Sequence, residues 1–297
     1  MYHSILNNSK YYSIEIQCEA LNISRNAFYN WKNNYEINLE KKAKILIKIL
    51  EVYWDSLCIY GAPRITKVLN NMNIMISQKT VSKYMRLLGI ASIHSSHFPR
   101  RKSNLTAEER ALIHNLILDL EITKPNQVWT TDITYIETIY DGTLYLISYI
   151  DQFSKRVVGW HLGVTQRSTD VEIVLNDAIK KRKPLPGLIC HSDKGSVFRS
   201  KLYRKLLAEN HFIYSYTRLN HSCDDNAAQE SFHATLKKEW LSTKTLYHYE
   251  DAYREIFKFI EGFYNPKRLH SSLGYVSPIT FEKNYYLKQK MSKTPSK

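Results

Sequence analysis

Cysteine is scarce in this chain. The 297 residues contain four, Cys18, Cys58, Cys190 and Cys223, and no two of them form a C-x-x-C pair. That spacing supports neither a zinc site nor a disulfide framework, and it suits a reducing cytoplasm. No apolar run approaches the ~18 residues of a membrane span, and nothing reads as a signal peptide, so no membrane role is expected. Acids are outnumbered, with 28 Asp and Glu against 42 Lys and Arg, a net charge of +14. The surplus is even: +7 through residue 125 and +7 beyond it. A surplus spread along the whole molecule favours a polyanionic partner over a single basic tail. A soluble basic protein with solvated lysines is the rival reading.

With acids few, three stretches that hold one at a special position stand out. Leu188-Ile189-Cys190 is a short apolar run after the turn signal Pro184-Leu-Pro-Gly187. It suits a buried strand, and Asp193 falls just past its carboxyl end, where open α/β sheets bind ligands. Gly195 lets the backbone turn or lets a substrate come close. Gln127 to Ile136 alternates as a β-rich segment with Asp132 in mid-strand. An Asp there is disfavoured unless it meets a ligand, an ion or a hydrogen-bond partner. Asp225 to Glu239 reads as a helix, with Asp224 or Asp225 as its cap. Ala228, Phe232, Leu236 and Trp240 form its apolar stripe, and Glu230 shares the opposite face with Lys237. Two Asp at strand positions and one Glu on a helix make an oxygen-rich site for hard cations such as Mg²⁺. Two such ions ~4 Å apart can activate an attacking oxygen and stabilise a leaving oxygen at phosphorus.

These stretches, in this order, resemble the DDE catalytic core of the retroviral-integrase superfamily. The likeness is to OrfB-type transposases of bacterial insertion sequences. It is carried by Trp129-Thr-Thr-Asp132-Ile-Thr-Tyr, His191-Ser-Asp193-Lys-Gly-Ser, Asp225-Asn-Ala-Ala-Gln-Glu230-Ser-Phe with Leu236-Lys237, and Tyr264 to Pro278. Together these cover residues 126 to 281, with a looser likeness towards the amino terminus. Thirty-six residues separate Asp193 from Glu230, one more than is usual in the family, and the extra one is placed in the loop from Leu219 to Asp224. The zinc-binding amino-terminal module of retroviral integrases needs paired His and Cys, which this chain lacks.

The resemblance implies a metal-dependent DNA strand transferase that cleaves element ends and joins them to a target. Asp132, Asp193 and Glu230 would be the catalytic residues and the ligands of two Mg²⁺ or Mn²⁺ ions. Lys237 would contact the bound end. His191, Asn226, Arg268 and His270 would brace or line the site. The implied partners are double-stranded DNA, further copies of the chain to pair two ends, and an upstream-frame protein with which a frameshift fusion is open. The nucleoid is the implied place of action. Two other functions remain open: a DNA-binding regulator of the element without chemistry, and a ribonuclease-H-like nuclease.

The expected architecture is α/β. A ribonuclease-H-like integrase core, with a mixed five-stranded sheet and flanking helices, follows all-α helix-turn-helix modules. Residues 1–38 form a first helix-turn-helix, with Arg25 on its second helix as a DNA contact. A plain helical hairpin fits that pattern equally. Residues 39–93 form a second module, in which a helix covers 39–57 and another, after Ser77, carries Lys79, Lys83 and Arg86 towards phosphate. Residues 94–123 are a basic linker, including Arg100 and Arg101 as DNA contacts, and a helix over 106–121. His94 and His97 lack further ligands nearby and carry no metal site.

Residues 124–285 form the core and 286–297 a basic tail. Within the core, Asp141-Gly142 signals a hairpin, Ser168 or Thr169 caps a helix through Ile179, and the cations Lys180 to Lys183 suit that helix's C-terminus. Asp151 is left out of the catalytic set, because in this fold its position belongs to a turn.

Overall fold

The computed structural model describes residues 1–92, 115–193, 195–217 and 226–293. The chain divides into two compact units, 1–95 and 96–297. Arg100, Arg101, Asp224, Asp225 and the loop assigned the extra residue lie outside the described residues.

The first unit is all helical. Helices α1 (Tyr2–Asn8) and α2 (Ile14–Ala20) meet the start of α3 (Arg25–Asp55) around Ile5, Cys18 and Phe28, each buried. Ser13 caps α2 by accepting the Ile16 N–H at 3.3 Å. Helix α3 is continuous over 31 residues, so the module boundary expected between residues 38 and 39 falls inside a helix. No Gly or Pro interrupts the segment, and Asn33 and Asn34 alone do not stop a helix whose two ends are held by packing. Its second half buries Ile49, Val52 and Tyr53 against α4 (Ala62–Asn71) and α5 (Gln78–Leu87). Ser77 caps α5 through the Thr80 N–H, and Gly89, at φ +67°, ends it in the left-handed region.

The second unit is built on one five-stranded sheet in the order β3-β2-β1-β4-β5. Strands β1 (Val128–Glu137), β2 (Thr143–Asp151) and β3 (Val157–Gly163) form an antiparallel meander. Gly142 at φ +70° serves the first turn. Strands β4 (Ile189–Ser192) and β5 (Ile213–Tyr216) add parallel to β1. One face buries Trp129, Ile147, Tyr149, Val158 and Cys190 under α6 (Ser168–Arg182) and α7 (Lys201–Glu209). Helix α6 begins one residue earlier than the expected caps would place it, with Asp170 accepting the Arg167 N–H at 3.1 Å. It also runs past Ile179, and Arg182 turns inward rather than only completing the helix dipole.

The other face is covered by α8 (Ala227–Thr235). The helix then widens into a π-turn, Leu236–Trp240. Helix α9 (Tyr249–Phe257) also passes into a π segment, Lys258–Tyr264. Residues 115–121 are not helical. Residues 278–293, by contrast, are: α10 (Pro278–Lys293) crosses residue 286, where the tail was expected to begin. Its Glu282 is buried and binds Arg182 at 2.7 and 2.8 Å, Arg156 at 2.8 Å and Ser154 at 2.8 Å. Asp151, fully buried, accepts the N–H groups of Asn126, Phe153 and Ser154 in the same network. It shapes the turn after β2, away from the acids described next.

Candidate active site

Asp132 stands in the middle of the central strand, directly opposite Ser148 of β2. Directly opposed residues of an antiparallel pair project to the same face, here the face under α8. Ile133 donates its N–H to Asp132 Oδ1 at 2.8 Å. The other oxygen, Oδ2, faces His233 Nδ1 at 3.6 Å. Burial pushes the Asp132 carboxyl up to about 7, and the charges of Asp193 and Glu230 add to the rise. The Ile133 N–H and Lys237 pull the other way. Asp132 therefore binds a proton in the folded chain over a pH range where the unfolded chain has lost it.

The consequence for stability has a definite sign. From about pH 4 to about 7 the folded state holds more protons at Asp132 than the unfolded state, so stability falls as pH rises. The full cost is up to about 4 kcal/mol without a cation present. Urea unfolding of metal-free protein at the two ends of this range should show the loss, and Asp132→Asn should remove the part due to this residue.

Asp193 follows β4 directly and is half-buried. Its Oδ1 accepts the Gly195 N–H at 2.9 Å. A Cβ at Gly195 would lie 2.9 Å from that same oxygen, inside contact distance. Gly195→Ala should then move the carboxylate rather than unfold the chain. The expected result is a loss of activity of tenfold or so, with thermal stability within about 1 kcal/mol of the parent.

Glu230 projects from α8 and is exposed. The helix is pinned to the sheet by polar side chains on its inner face. Gln229 donates to the carbonyls of Thr130 at 2.7 Å and Ser148 at 3.0 Å, and Ser148 Oγ donates to Gln229 Oε1 at 2.8 Å. Asn226 donates to the Thr131 carbonyl at 3.3 Å. Phe232, Leu236 and Trp240 supply the buried apolar stripe, while Ala228 is only half-buried. Sequence reading missed Gln229 and His233. Asn226, Gln229 and His233 recur at three and four residues, a polar stripe beside the apolar one, and that spacing was the available signal.

Lys237 is exposed in the π-turn. Burial lowers its pKa, against the pull of Glu137 and Asp132. It opens onto a groove shared with Tyr135, Glu137, Ile139, Ser242 and Lys244. Arg268 lies behind the site: it grips both oxygens of Glu239 at 2.9 Å and so holds the far end of the Glu230 helix. His270 packs edge-on against Tyr264 at 4.8 Å. His191 is buried in β4 with Nδ1 2.9 Å from Ser215 Oγ. In the first unit, Arg25 is exposed and paired with Glu15. Lys79, Lys83 and Arg86 line one groove on α5 with Gln78, Thr80 and Ser82.

Among the described residues, no three His, Cys, Asp or Glu side chains are gathered closely enough to hold a metal ion as they stand. The donor chemistry nonetheless fits a hard divalent cation. The carboxylates of Asp132, Asp193 and Glu230 are oxygen donors, the kind such a cation takes. No helix among the described residues is long and apolar enough to cross a membrane.

Residues 122–222 and 215–278 match an integrase core domain, and residues 40–98 match an HTH-like domain. The chain is 40% identical over 240 residues to the transposase for insertion sequence element IS904 of Lactococcus lactis subsp. lactis (strain IL1403). That alignment covers 80% of this chain and 92% of the relative. It is 30% identical over 277 residues to the transposase InsF for insertion sequence IS3A of Escherichia coli (strain K12), covering 91% of this chain and 94% of the relative. Among solved structures, the HTLV-2 integrase catalytic core domain in complex with magnesium (trimeric form) is similar with a TM-score of 0.41 and 17% identity, over 54% of this chain and 97% of that one.

Proposed function

This chain belongs to the integrase-core transposases of bacterial insertion sequences, and we propose that Asp132, Asp193 and Glu230 are the acids with which it cleaves element ends and transfers them to target DNA. The observation that carries the assignment is topological. Asp132 lies in mid-β1, Asp193 directly follows β4, the parallel neighbour of β1, and Glu230 lies on α8, which Gln229 and Asn226 bond to β1.

The three carboxylates would hold two Mg²⁺ or Mn²⁺ ions. Bound there, the ions would make water and then a DNA 3′-hydroxyl nucleophilic and would stabilise the departing 3′ oxygen. No covalent protein intermediate is required, so no Ser or Tyr nucleophile is assigned. Lys237 meets the phosphates of the element end, on the same helix as Glu230. Asn226 fixes that helix to β1, and Arg268 fixes its far end through Glu239. His191 and His270 support from the sheet and from the Tyr264 turn. Lys79, Lys83 and Arg86 approach the backbone of duplex DNA from the HTH-like unit, with Arg25 a further contact. Arg100 and Arg101 keep that role by charge alone. Action on nucleoid DNA in the cytoplasm, pairing of two ends by more than one copy, and an upstream-frame partner complete the reading.

Its test is cleavage and strand transfer on labelled duplexes carrying the element's own ends, with Mg²⁺, beside Glu230→Gln. Activity lost in the variant supports the assignment. Equal activity in both overturns it, and tight end binding without cleavage by either protein points to a regulator. Lys83→Ala and Arg86→Ala should each weaken binding to any duplex and lower the slope of log affinity against log salt by about 1. Fluorescence anisotropy at several salt concentrations checks this.

A further inference from the structure

His233 is absent from the proposed catalytic set, yet its ring reaches both Ser148 of β2 and Asp132 of β1. Nε2 is 3.3 Å from Ser148 Oγ, and Nδ1 is 3.6 Å from Asp132 Oδ2. The ring is buried, and so is Ser148. Which nitrogen carries the proton follows from counting donors along the chain of contacts. The Gln229 amide nitrogen is committed to two backbone carbonyls, those of Thr130 and Ser148, and carbonyls only accept. Its Oε1 must therefore be the acceptor, and the Ser148 hydroxyl proton is the donor, at 2.8 Å. With that proton spent, Ser148 Oγ can only accept from the ring, so Nε2 carries the hydrogen. In the neutral ring, Nδ1 is then bare and turned to a carboxylate oxygen.

Two lone-pair atoms facing each other repel unless something positive comes between or beside them. Asp132 Oδ2 receives no protein hydrogen bond among the described residues, whereas Oδ1 has the Ile133 N–H. The opposite tautomer would place an N–H on Oδ2 and satisfy it.

We propose that His233 is a positioning residue of the acidic site: the Gln229–Ser148 relay fixes it as the Nε2–H tautomer, so that Nδ1 withholds a hydrogen bond from Asp132 Oδ2 and leaves that oxygen open to a divalent cation. The proposal rests on the reading of Asp132 as a cation ligand. It adds that the direction of the relay is set by two backbone carbonyls of the sheet, those of Thr130 and Ser148. Partners of this kind, one step behind a ligand, typically change metal affinity 10- to 100-fold.

The experiment uses the full chain with ¹⁵N-labelled histidine. Long-range ¹H–¹⁵N spectra report the tautomer, and calorimetric titration with Mg²⁺ reports affinity. In the wild type His233 is expected as Nε2–H with an unprotonated Nδ1, whose resonance moves as Mg²⁺ is added. His233→Ala takes away the ring without putting a donor on Asp132 Oδ2, so its Mg²⁺ affinity is expected within a fewfold of wild type. Ser148→Ala removes the acceptor that dictates the tautomer. It should shift the ring towards the Nδ1–H tautomer bonded to Asp132, with a fall in affinity on the order of 10-fold that adding His233→Ala to the same chain should reverse. A wild-type ring protonated at Nδ1 overturns the proposal. So does Mg²⁺ affinity within twofold of wild type in a folded Ser148→Ala chain. If the wild type shows the Nε2–H tautomer but no response to Mg²⁺, as in an Asp132→Asn control, the ligand reading of Asp132 has failed and takes the proposal with it. That pattern is distinct from a wrong tautomer.

Discussion

Asp193→Asn is expected to lower strand transfer on the order of a thousandfold while leaving end binding within a fewfold of the parent. The substitution isolates charge. Asp193 Oδ1 accepts the Gly195 N–H, and an asparagine carbonyl oxygen keeps that acceptor in place. The half-buried position loses no volume. What disappears is the negative charge a divalent cation needs. Strand transfer on a pre-cleaved end, run beside gel-shift binding and thermal melting, separates the contributions. Full activity in a normally melting variant would remove Asp193 from the catalytic set. Gly195→Ala makes the complementary perturbation, since it keeps the charge and moves it.

The second large effect is on stability. Glu282→Ala should cost 3–5 kcal/mol, the usual penalty for removing one member of a buried ion network. For a unit of this size that is a fall in melting temperature of about 10 °C. Burial works to raise the Glu282 pKa, but Arg182 and Arg156 outweigh it and hold the carboxyl below its ordinary value. Removal strands the Arg182 guanidinium, which is almost wholly buried and has Asp151 only at 4.0 Å. Glu282→Met should not rescue, because it restores volume and not charge. Differential scanning calorimetry measures the effect. At neutral pH and low temperature the folded fraction should keep its cleavage activity, since the network lies apart from Asp132, Asp193 and Glu230. The pH dependence also runs opposite to that of Asp132: a depressed carboxyl contributes stability above its unfolded pKa of about 4.5, and that stability is lost as pH falls.

Much of the core was legible because its signals are local. Alternation along 128–136, the Asp141-Gly142 turn and the apolar run at 188–190 are each read from neighbours in sequence, and each became a strand or turn. Asp132 stood out by its mid-strand position, Asp193 by the end of its strand and Glu230 by its helix face. What was missed depends on distant partners. Helix α3 persists through Asn33 and Asn34 because packing at both ends outweighs weak propensity in the middle. Only the end of helix α10, from residue 286, looked like a basic tail; that it continues the helix which Arg156 and Arg182 hold through Glu282 depends on those distant partners. Gln229 looked like an ordinary helix residue until the carbonyls it meets, on two different strands, were in place.

The reach of Glu282 also bears on how the protein is made. Its bond to Ser154 spans 128 residues, and the nearby Asn265–Val157 pair spans 108. The antiparallel meander can close soon after it leaves the ribosome, but Arg156 and Arg182 wait for residue 282 before their charges are met. At about 5–20 residues per second, that wait lasts several seconds or more. All three acids are therefore synthesised well before the core that holds them is complete. A nonsense codon anywhere between Glu230 and Glu282 would give a polypeptide that carries all three acids but lacks the partner that Arg156 and Arg182 need. Decay of such a gene at its 3′ end should silence it as completely as loss of an active-site codon.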